Sequence, residues 1–549
     1  MTNGGTCEYI LDPDVPDTWG GSDDSRCFVS SSDLNDEGVW TCPHDAEKGE
    51  DLCLFHLPVE QKEDNRVTSA LLKAVNSIDD DIEESRLRTQ FIGARFGELK
   101  IEGESFELPS DQPIDLTHCR FQDHISLTDS KFSAEIDFTG ATFEGGLEIV
   151  DTTFGRSVNF NCSSFDGKTL FDGVRFDDRV YFKMITASAP LELTSTTLNG
   201  WFSFRDAVFE GEVKVKDSSF NAQDISGTFA DATFEHKATF ERTSITGDFG
   251  FTTATFQSGL NFVEMLTKSD LAFHNTVIAG DLVCDETVFD GTLEFKSTLE
   301  SPKTQVEGEA SFEGAKFGVK PKFAEIEFGE ASFHNVTFEA GAIFEEVQFD
   351  GKIDFSGVMS KTKGNFEFND VIVNKPANFK ESRFRKGIDL SDTKFQAETT
   401  FRKSWFYNYN SLDKFDATNV EFGGKVSFAK ARFDSPARFT DIEVSGTADF
   451  RNVSFHSGSD FSGASFDENI LFADAVFESG TDWSEVVIDG DADFSGVDWA
   501  TTNQHLEPVK HSMTGMKIQG NANFSSLGWE NDAVDFSEAN VSGELILDE

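Results

Sequence analysis

The side chains best suited to chemistry lie near the N-terminus, where four of the seven cysteines fall between Cys7 and Cys53. Cysteine and histidine alternate there, as in the stretch WTCPHDAEKGEDLCLFH. The candidate ligands of this segment are Cys7, Cys27, Cys42, His44, Cys53 and His56. Thiolate sulfur and imidazole nitrogen are the ligands of tetrahedral structural zinc. Residues 1–56 are therefore predicted to form a small zinc-binding module.

One ligand set is preferred within this cluster. Cys53 and His56 form a Cys-x-x-His pair, and Cys42 and Cys7 supply the other two positions. Cys27 and His44 are alternates, and a cluster of buried or free thiols is the competing interpretation. Four protein ligands would close the coordination sphere, so the predicted site is structural and not catalytic.

The sequence carries no recognisable catalytic motif. It has no Gly-x-Ser-x-Gly elbow, no Walker loop and no His-Glu-x-x-His sequence, and its ten histidines are scattered. Carboxylate pairs occur throughout the chain, so no single pair is informative. We therefore predict that the chain is not an enzyme.

The elements that must position these residues are set by a phenylalanine repeat. In FSGASFDENILFADAVF, rings recur at steps of five, six and five, at Phe461, Phe466, Phe472 and Phe477. A small or β-branched residue stands two positions before each ring, which is the alternation of a short strand. Turn-forming pairs such as Ser-Gly and Asp-Gly follow the rings. A chain that turns a corner every five or six residues must coil, and stacking of the coils buries the rings.

This pattern resembles the pentapeptide-repeat family, in its Phe-rich variant of eleven residues. The matches include IDFTGATFEGG, ADFRNVSFHSG and ADFSGVDW, and they extend over about residues 115–549. The resemblance implies an all-β solenoid, a right-handed quadrilateral β-helix of two eleven-residue units per turn. The N-terminal segment is also similar to modules on pentapeptide-repeat proteins of extreme halophiles.

Three domains are predicted along the chain. Residues 1–56 form the Cys/His-rich module, residues 57–100 a helical cap and linker, and residues 101–549 the β-helix. Apolar residues at helical spacing predict a helix over 60–78 that covers the first coil. The repeat is interrupted near 298–310, 361–370, 406–415 and 500–516. The Tyr-rich stretch 406–415 and the loop 500–516 are candidate binding loops, because function concentrates on loops of rigid scaffolds.

The charge of the chain is strongly acidic, with 99 Asp and Glu against 46 Lys and Arg and a net charge of −53. The acids are interpreted as spread along the whole chain, which favours adaptation to a high-salt cytoplasm. Direct nucleic-acid binding is not expected, because it needs clustered Lys and Arg. The first residues do not read as a signal peptide, and no apolar run is long enough to span a membrane.

Two functions are compatible with these features. The first is a scaffold that mediates protein–protein interaction in the cytoplasm. The alternative is a DNA mimic, because some members of the resembling family occupy the DNA site of topoisomerases. Apolar residues in the last repeat, Leu545, Ile546 and Leu547, also predict a homodimer through the C-terminal coil.

Overall fold

The structure is a computed structural model. It describes residues 5–21, 26–76, 86–108, 112–221, 227–298, 303–361, 364–407, 414–500, 509–525 and 534–547. The chain divides into two units, Met1–Asn261 and Phe262–Glu549. Each unit contains a parallel β-solenoid with four short strands per coil. Among the residues described, no helix is long and apolar enough to cross a bilayer.

The first unit begins with the Cys/His-rich module and a helix. Strand Ile10–Leu11 pairs antiparallel with Trp40–Thr41, and 3-10 turns span Pro16–Thr18 and Val59–Gln61. Helix α1 spans Asp64–Asn76 and buries Val67, Leu71 and Val75, which are four residues apart. The helix begins later than the predicted residue 60, because Val59–Gln61 forms the 3-10 turn. Residues 77 and 78, the end of the predicted helix, lie outside the described residues.

Helix α1 covers the open side of the first coil. Leu71 and Val75 line an apolar pocket together with Leu99 and Ile101. The latter two belong to strand Leu99–Glu102, which pairs parallel with Ile125–Thr128. Strand Arg95–Phe96 pairs in the same way with Arg120–Phe121. The solenoid therefore begins by residue 95 and not at the predicted residue 101, because the strand Arg95–Phe96 is already part of the parallel ladder.

One coil of the first unit contains four strands. These are Ile136–Asp137, Thr142–Phe143, Leu147–Val150 and Thr153–Phe154. The next strand, Val158–Asn159, pairs in parallel with Ile136–Asp137, so the chain returns to the same face after two eleven-residue units. The solenoid predicted from the repeat is confirmed, and so is the four-sided coil that the family resemblance implies.

The phenylalanines fill the inside of the coil. Phe143 stacks on Phe165 of the next coil, with ring centroids 4.9 Å apart and planes 3° from parallel. Ala141, two residues before Phe143, is also fully buried. Each side of the four-sided coil therefore contains five or six residues, and the phenylalanine ring at the end of the side points into the core. Offset and parallel ring contacts add to the free energy gained from burial.

Left-handed backbone marks alternate corners of the coil. Positive φ angles recur every eleven residues, for example at Gly140, Asp151, Cys162 and Gly173. Each lies three residues before an inward ring or its equivalent. Glycine and aspartate tolerate this conformation better than most residues, which explains their frequency just ahead of the small buried residue.

The second unit repeats the same coil. Strands Ala437–Arg438, Glu443–Val444, Ala448–Asp449 and Ser454–Phe455 form one coil, and Ser459–Asp460 pairs with the first of them. Among the described strands of this unit, five coils pair residues that lie further apart in sequence than two eleven-residue units, which marks extra residues. The pairs are Phe289 with Phe317, Phe344 with Phe368, Phe406 with Phe433, Asp482 with Ser512, and Ser512 with Asp535.

Two details of the coils differ from the sequence prediction. Thr304–Ser311, within the interruption predicted near 298–310, is an eight-residue strand that pairs with Ile326–Ser332. Its alternating pattern keeps Thr304, Val306 and Ala310 buried, so most of this segment continues the sheet. In the first unit, Phe209 pairs with Phe234, three positions beyond the regular step, which marks an insertion that the sequence analysis missed. Residues 222–226 of that coil lie outside the described ranges.

The two candidate binding loops lie only partly within the described residues. Residues 408–413 of the first loop and 501–508 of the second are outside them. Strand Trp405–Phe406 overlaps the start of the first loop and strand His511–Ser512 lies within the second, and both strands belong to the parallel ladders. The binding role of the two loops stays a prediction.

Candidate metal centre

The paired strands of the N-terminal module position the first two cysteines. The backbone N–H of Cys7 donates to the carbonyl of His44 at 3.0 Å, and that of Cys42 donates to the carbonyl of Tyr9 at 3.1 Å. These bonds flank the antiparallel pairing of Ile10–Leu11 with Trp40–Thr41. Cys7 and Cys42, which are distant in sequence, are therefore held on neighbouring segments.

A tight turn supplies the other two side chains. The N–H of His56 donates to the carbonyl of Cys53 at 3.1 Å, so the Cys-x-x-His segment closes one turn. The N–H of Cys53 donates to Sγ of Cys7 at 3.1 Å, which joins this turn to the first segment. A backbone N–H directed at sulfur stabilises the thiolate form of that cysteine.

The structure brings together Cys7, Cys42, Cys53 and His56, the set preferred from the sequence. All four are buried, and their ligand atoms lie within 4.8 Å of one another. The Sγ atoms of Cys42 and Cys53 are 3.7 Å apart. Nδ1 of His56 lies 3.1 Å from Sγ of Cys53 and 3.8 Å from Sγ of Cys7.

These distances suit a small tetrahedral ion. Two thiolates bound to zinc at about 2.3 Å are about 3.8 Å apart in a tetrahedron, close to the separation of Cys42 and Cys53. Three sulfurs and one imidazole are soft and borderline donors, which select zinc and similar ions over magnesium or calcium. The Cys₃His cluster could hold a metal ion, and all four of its ligands would come from the protein.

His56 is held in the orientation that a ligand needs. Its Nε2 lies 2.9 Å from the carbonyl oxygen of Ile92, which can only accept a hydrogen bond. The proton is therefore on Nε2, and the lone pair of Nδ1 faces the three sulfurs. The Tyr9 ring stacks on His56 with centroids 3.9 Å apart and planes 12° from parallel. Both contacts fix the imidazole without using its ligand atom.

The thiols also favour loss of a proton inside the cluster. Hydrogen bonds from Cys42 and Cys53 hold the pKa of Cys7 well below its usual range. Hydrogen bonds to Cys53 and Cys7 raise the pKa of Cys42, because only one sulfur can carry the charge while the others donate. A cation at the centre would favour thiolates at all three positions.

The two alternate ligands are placed elsewhere. His44 uses Nε2 to bond the carbonyl of Gln90 at 2.9 Å, and its ring stacks on Phe91. Burial lowers the pKa of His44, so this histidine is neutral. Cys27 is half-buried and does not belong to the cluster.

Lys62 is a contributor that the sequence analysis missed. Its Nζ donates to the carbonyls of Leu54 and Phe55 at 3.1 and 2.9 Å, and also to the carbonyl of Arg95. Burial lowers the pKa of Lys62 to about 8. The residue joins the Cys53–His56 turn to the first strand of the solenoid. Its partners are backbone carbonyls, so no residue spacing could have indicated this role.

Comparisons with known proteins bear on the repeat. Residues 439–487 match the family model described as pentapeptide repeats (9 copies). This segment carries pentapeptide repeats. One similar solved structure is that of HetL, a pentapeptide repeat protein involved in heterocyst differentiation regulation from the cyanobacterium Nostoc sp. strain PCC 7120. It is 12% identical with a TM-score of 0.24, covering 46% of this chain and 87% of HetL. No curated protein matches the chain.

Proposed function

We propose that this chain is a non-enzymatic scaffold that binds protein partners in a high-salt cytoplasm. The observation that carries the proposal is the filled interior of the coils. Ring stacks such as Phe439 on Phe461, 4.6 Å apart, occupy the centre of the coil. Functional contacts are therefore assigned to the outer faces, the corners and the inserted segments. A stiff repeat with a large outer surface suits protein binding.

The metal centre is assigned a structural role in this proposal. A Cys₃His set favours zinc, and four protein ligands leave no position for a substrate. Bound zinc would stabilise the small module, whose own core is limited. Cysteines that stay reduced and bind a metal are typical of a reducing compartment, which supports a cytoplasmic location.

The alternative function, a DNA mimic, has less support than the scaffold, because the rows of aspartates in the second unit match the charge spacing of DNA poorly. Asp460 and Asp482 stack in register, about 4.8 Å apart in a parallel ladder. Phosphates of one DNA strand are spaced at about 3.4 Å along the axis. Arg438 precedes this pair in the ladder and Ser512 follows it, so the row of negative charge is short. Each aspartate also accepts a hydrogen bond from the backbone N–H two residues on.

A pull-down from native lysate in molar KCl tests the scaffold function. We expect full-length protein to retain a specific protein partner, and a version without residues 1–56 shows whether the module contributes to recognition. Recovery of a topoisomerase by both forms would support the mimic instead. Recovery of no specific protein by either form would contradict the scaffold proposal.

A homodimer through the C-terminal coil is a further part of the proposal. Phe536, Leu545 and Leu547 of the last described coil are 41%, 48% and 61% exposed. Covering them with a second copy would remove apolar area from water. Light scattering in molar KCl is expected to give a dimer mass, and Leu545→Glu/Leu547→Glu to give a monomer. A monomer that does not change with concentration in the unaltered chain would contradict the dimer.

A further inference from the structure

One segment of this acidic chain is basic. Residues 375–438 contain 13 Lys and Arg against 8 Asp and Glu, a net charge of +5. The whole chain carries −53, which leaves −58 for all other residues. Acidic residues occur in this segment, as expected for the whole chain, but Lys and Arg outnumber them. Adaptation to high salt favours acidic surfaces, so it does not explain why the net charge of about three coils is positive.

The fold gathers part of this charge on one face of the second unit. Arg383 pairs in register with Trp405, and Trp405 with Arg432, so the three side chains lie on successive coils. Lys403 and Lys430 occupy the left-handed corner just before this face, both with φ 61°. A surface cleft is lined by Arg383, Lys403, Trp405, Lys430 and Arg432 together with Glu381. We call these six residues the basic groove.

Positive charge dominates the basic groove. Arg383, Lys403, Lys430 and Arg432 are all exposed. Two carboxylates contact these cations: that of Glu381 lies 3.0 Å from Nζ of Lys403, and that of Asp434 lies 2.7 Å from Nε of Arg432. Four cations against two carboxylates leave a net positive charge, opposite in sign to that of the rest of the chain, with Arg383 and Lys430 outside these two ion pairs. Such a field attracts an anionic partner and raises its rate of association.

The aromatic side chains of the groove are already in contact with their neighbours. Trp405 stacks on Tyr407 with centroids 4.4 Å apart, and the guanidinium of Arg432 lies 5.3 Å from the Trp405 ring centre. The indole N–H donates to Asp434 at 2.8 Å. Single-stranded nucleic acid binds by stacking bases on open ring faces. Because Tyr407 and the guanidinium of Arg432 already contact the Trp405 ring, the groove suits carboxylates better than nucleobases.

We propose that the basic groove binds an acidic segment of a protein partner, a proposal that rests on the scaffold function given above. Side-chain carboxylates of the partner would bond to Lys403, Lys430 and Arg383. Trp405 and Tyr407 form a rigid platform beside these cations, and aromatic residues next to arginine are typical of interface centres. The charge of the segment favours a partner rich in Asp and Glu.

The test measures binding of two labelled probes to the purified full-length protein. One probe is a peptide of about 20 residues that alternates glutamate and serine, and the other is oligothymidylate of the same length. Fluorescence anisotropy is recorded at the lowest KCl concentration at which circular dichroism shows an intact fold. The groove variant is Arg383→Glu/Lys403→Glu/Lys430→Glu. The matched control, Lys100→Glu/Lys131→Glu/Lys216→Glu, changes the same charge at exposed lysines of the first unit.

We expect the groove variant to bind the peptide about ten-fold more weakly or worse, and the control variant to bind it within about two-fold of the unaltered chain. Equal losses in both variants, or no peptide binding by the unaltered chain, would overturn the proposal. Tighter binding of oligothymidylate, lost in the groove variant, would overturn it by assigning the groove to nucleic acid. Self-association lost in the groove variant would overturn it by assigning the groove to a second copy.

The pull-down separates this proposal from the scaffold function. A protein partner retained equally by the groove variant would leave the scaffold standing and overturn the groove as its docking site. Peptide binding that depends on the groove, without any partner recovered from lysate, would contradict the scaffold and support the groove's preference for carboxylates.

Discussion

A Cys53→Ser variant is expected to lose its zinc and the ordered structure of the N-terminal module. Cys53 contributes one of three sulfurs to the cluster, and its N–H also bonds Sγ of Cys7. Binding of structural zinc contributes about 10–16 kcal/mol to the folding of small zinc modules. A hydroxyl is a poor zinc ligand, so the remaining three donors should hold the ion far less tightly.

Zinc content and hydrogen exchange measure this result. The unaltered chain should carry about one zinc per molecule after dialysis, and the variant close to none. Amides of the paired strands Ile10–Leu11 and Trp40–Thr41 should exchange rapidly in the variant, whereas those of coils in the second unit should stay protected. Acid should release the metal from the unaltered chain, because protons compete for the thiolates.

Cys27→Ser provides the control, since Cys27 is a cysteine of the same module outside the cluster. It should keep both the zinc and the exchange protection. Unaltered protein that binds no zinc, with Cys53→Ser as well protected as Cys27→Ser, would identify the cluster as buried thiols without a metal.

Phe461→Ala is expected to destabilise the second unit by about 3–5 kcal/mol, the usual range for removal of a buried ring. Phe461 is fully buried between Phe439, 4.6 Å away, and Trp483, 4.1 Å away, with all three rings nearly parallel. It also meets Phe450 and Phe472 edge-on at 5.7 Å. The cavity left by Phe461→Ala would therefore interrupt the stack of Phe439, Phe461 and Trp483. It would also remove the edge-on contacts with Phe450 and Phe472.

Urea unfolding in molar KCl, with exchange measured across residues 439–483, tests this expectation. Repeat proteins transmit instability mainly to neighbouring coils, so faster exchange should centre on this segment. Phe461→Leu should cost less, because it leaves a smaller cavity. Asp467→Asn, at an exposed position, should change the free energy of unfolding by less than about 0.5 kcal/mol. A loss below about 1 kcal/mol for Phe461→Ala would mean that neighbouring rings close the gap.

Much of the fold could be predicted because each coil repeats one local rule. The step of five or six residues between Phe461, Phe466 and Phe472 determines strand length, corner position and inward direction together. The four side chains that the structure brings together could be singled out because Cys53 and His56 are close in sequence and the N-terminal segment has only four cysteines; their role as ligands stays a prediction. The predictions that failed depend on tertiary contacts. The sequence predicts a break at Thr304–Ser311 because no Phe marks its alternating pattern, whereas the structure has a strand there. The role of Lys62 leaves no pattern in the sequence, because its hydrogen-bond partners are backbone carbonyls.

The basic groove shows a different limit of sequence analysis. A count over residues 375–438 alone would have revealed the charge reversal, but the net charge of the chain hid it. The position of Lys430 beside Lys403 depends on the longer step between Phe406 and Phe433, which shifts the sequence register of one coil by five residues. Only the paired strands reveal which side chains become neighbours.

The return to the regular step after the longer coil between Phe406 and Phe433 has a consequence for how such a chain changes over generations. Asp416 pairs with Arg438 and Arg438 with Asp460, two eleven-residue units apart in each case, directly after the coil that holds the extra residues. An in-frame duplication that encodes one whole coil would leave every later phenylalanine ring stacked on the equivalent ring of the preceding coil. Gene segments of that length can therefore be gained or lost by unequal recombination, while a partial duplication would misalign the rings.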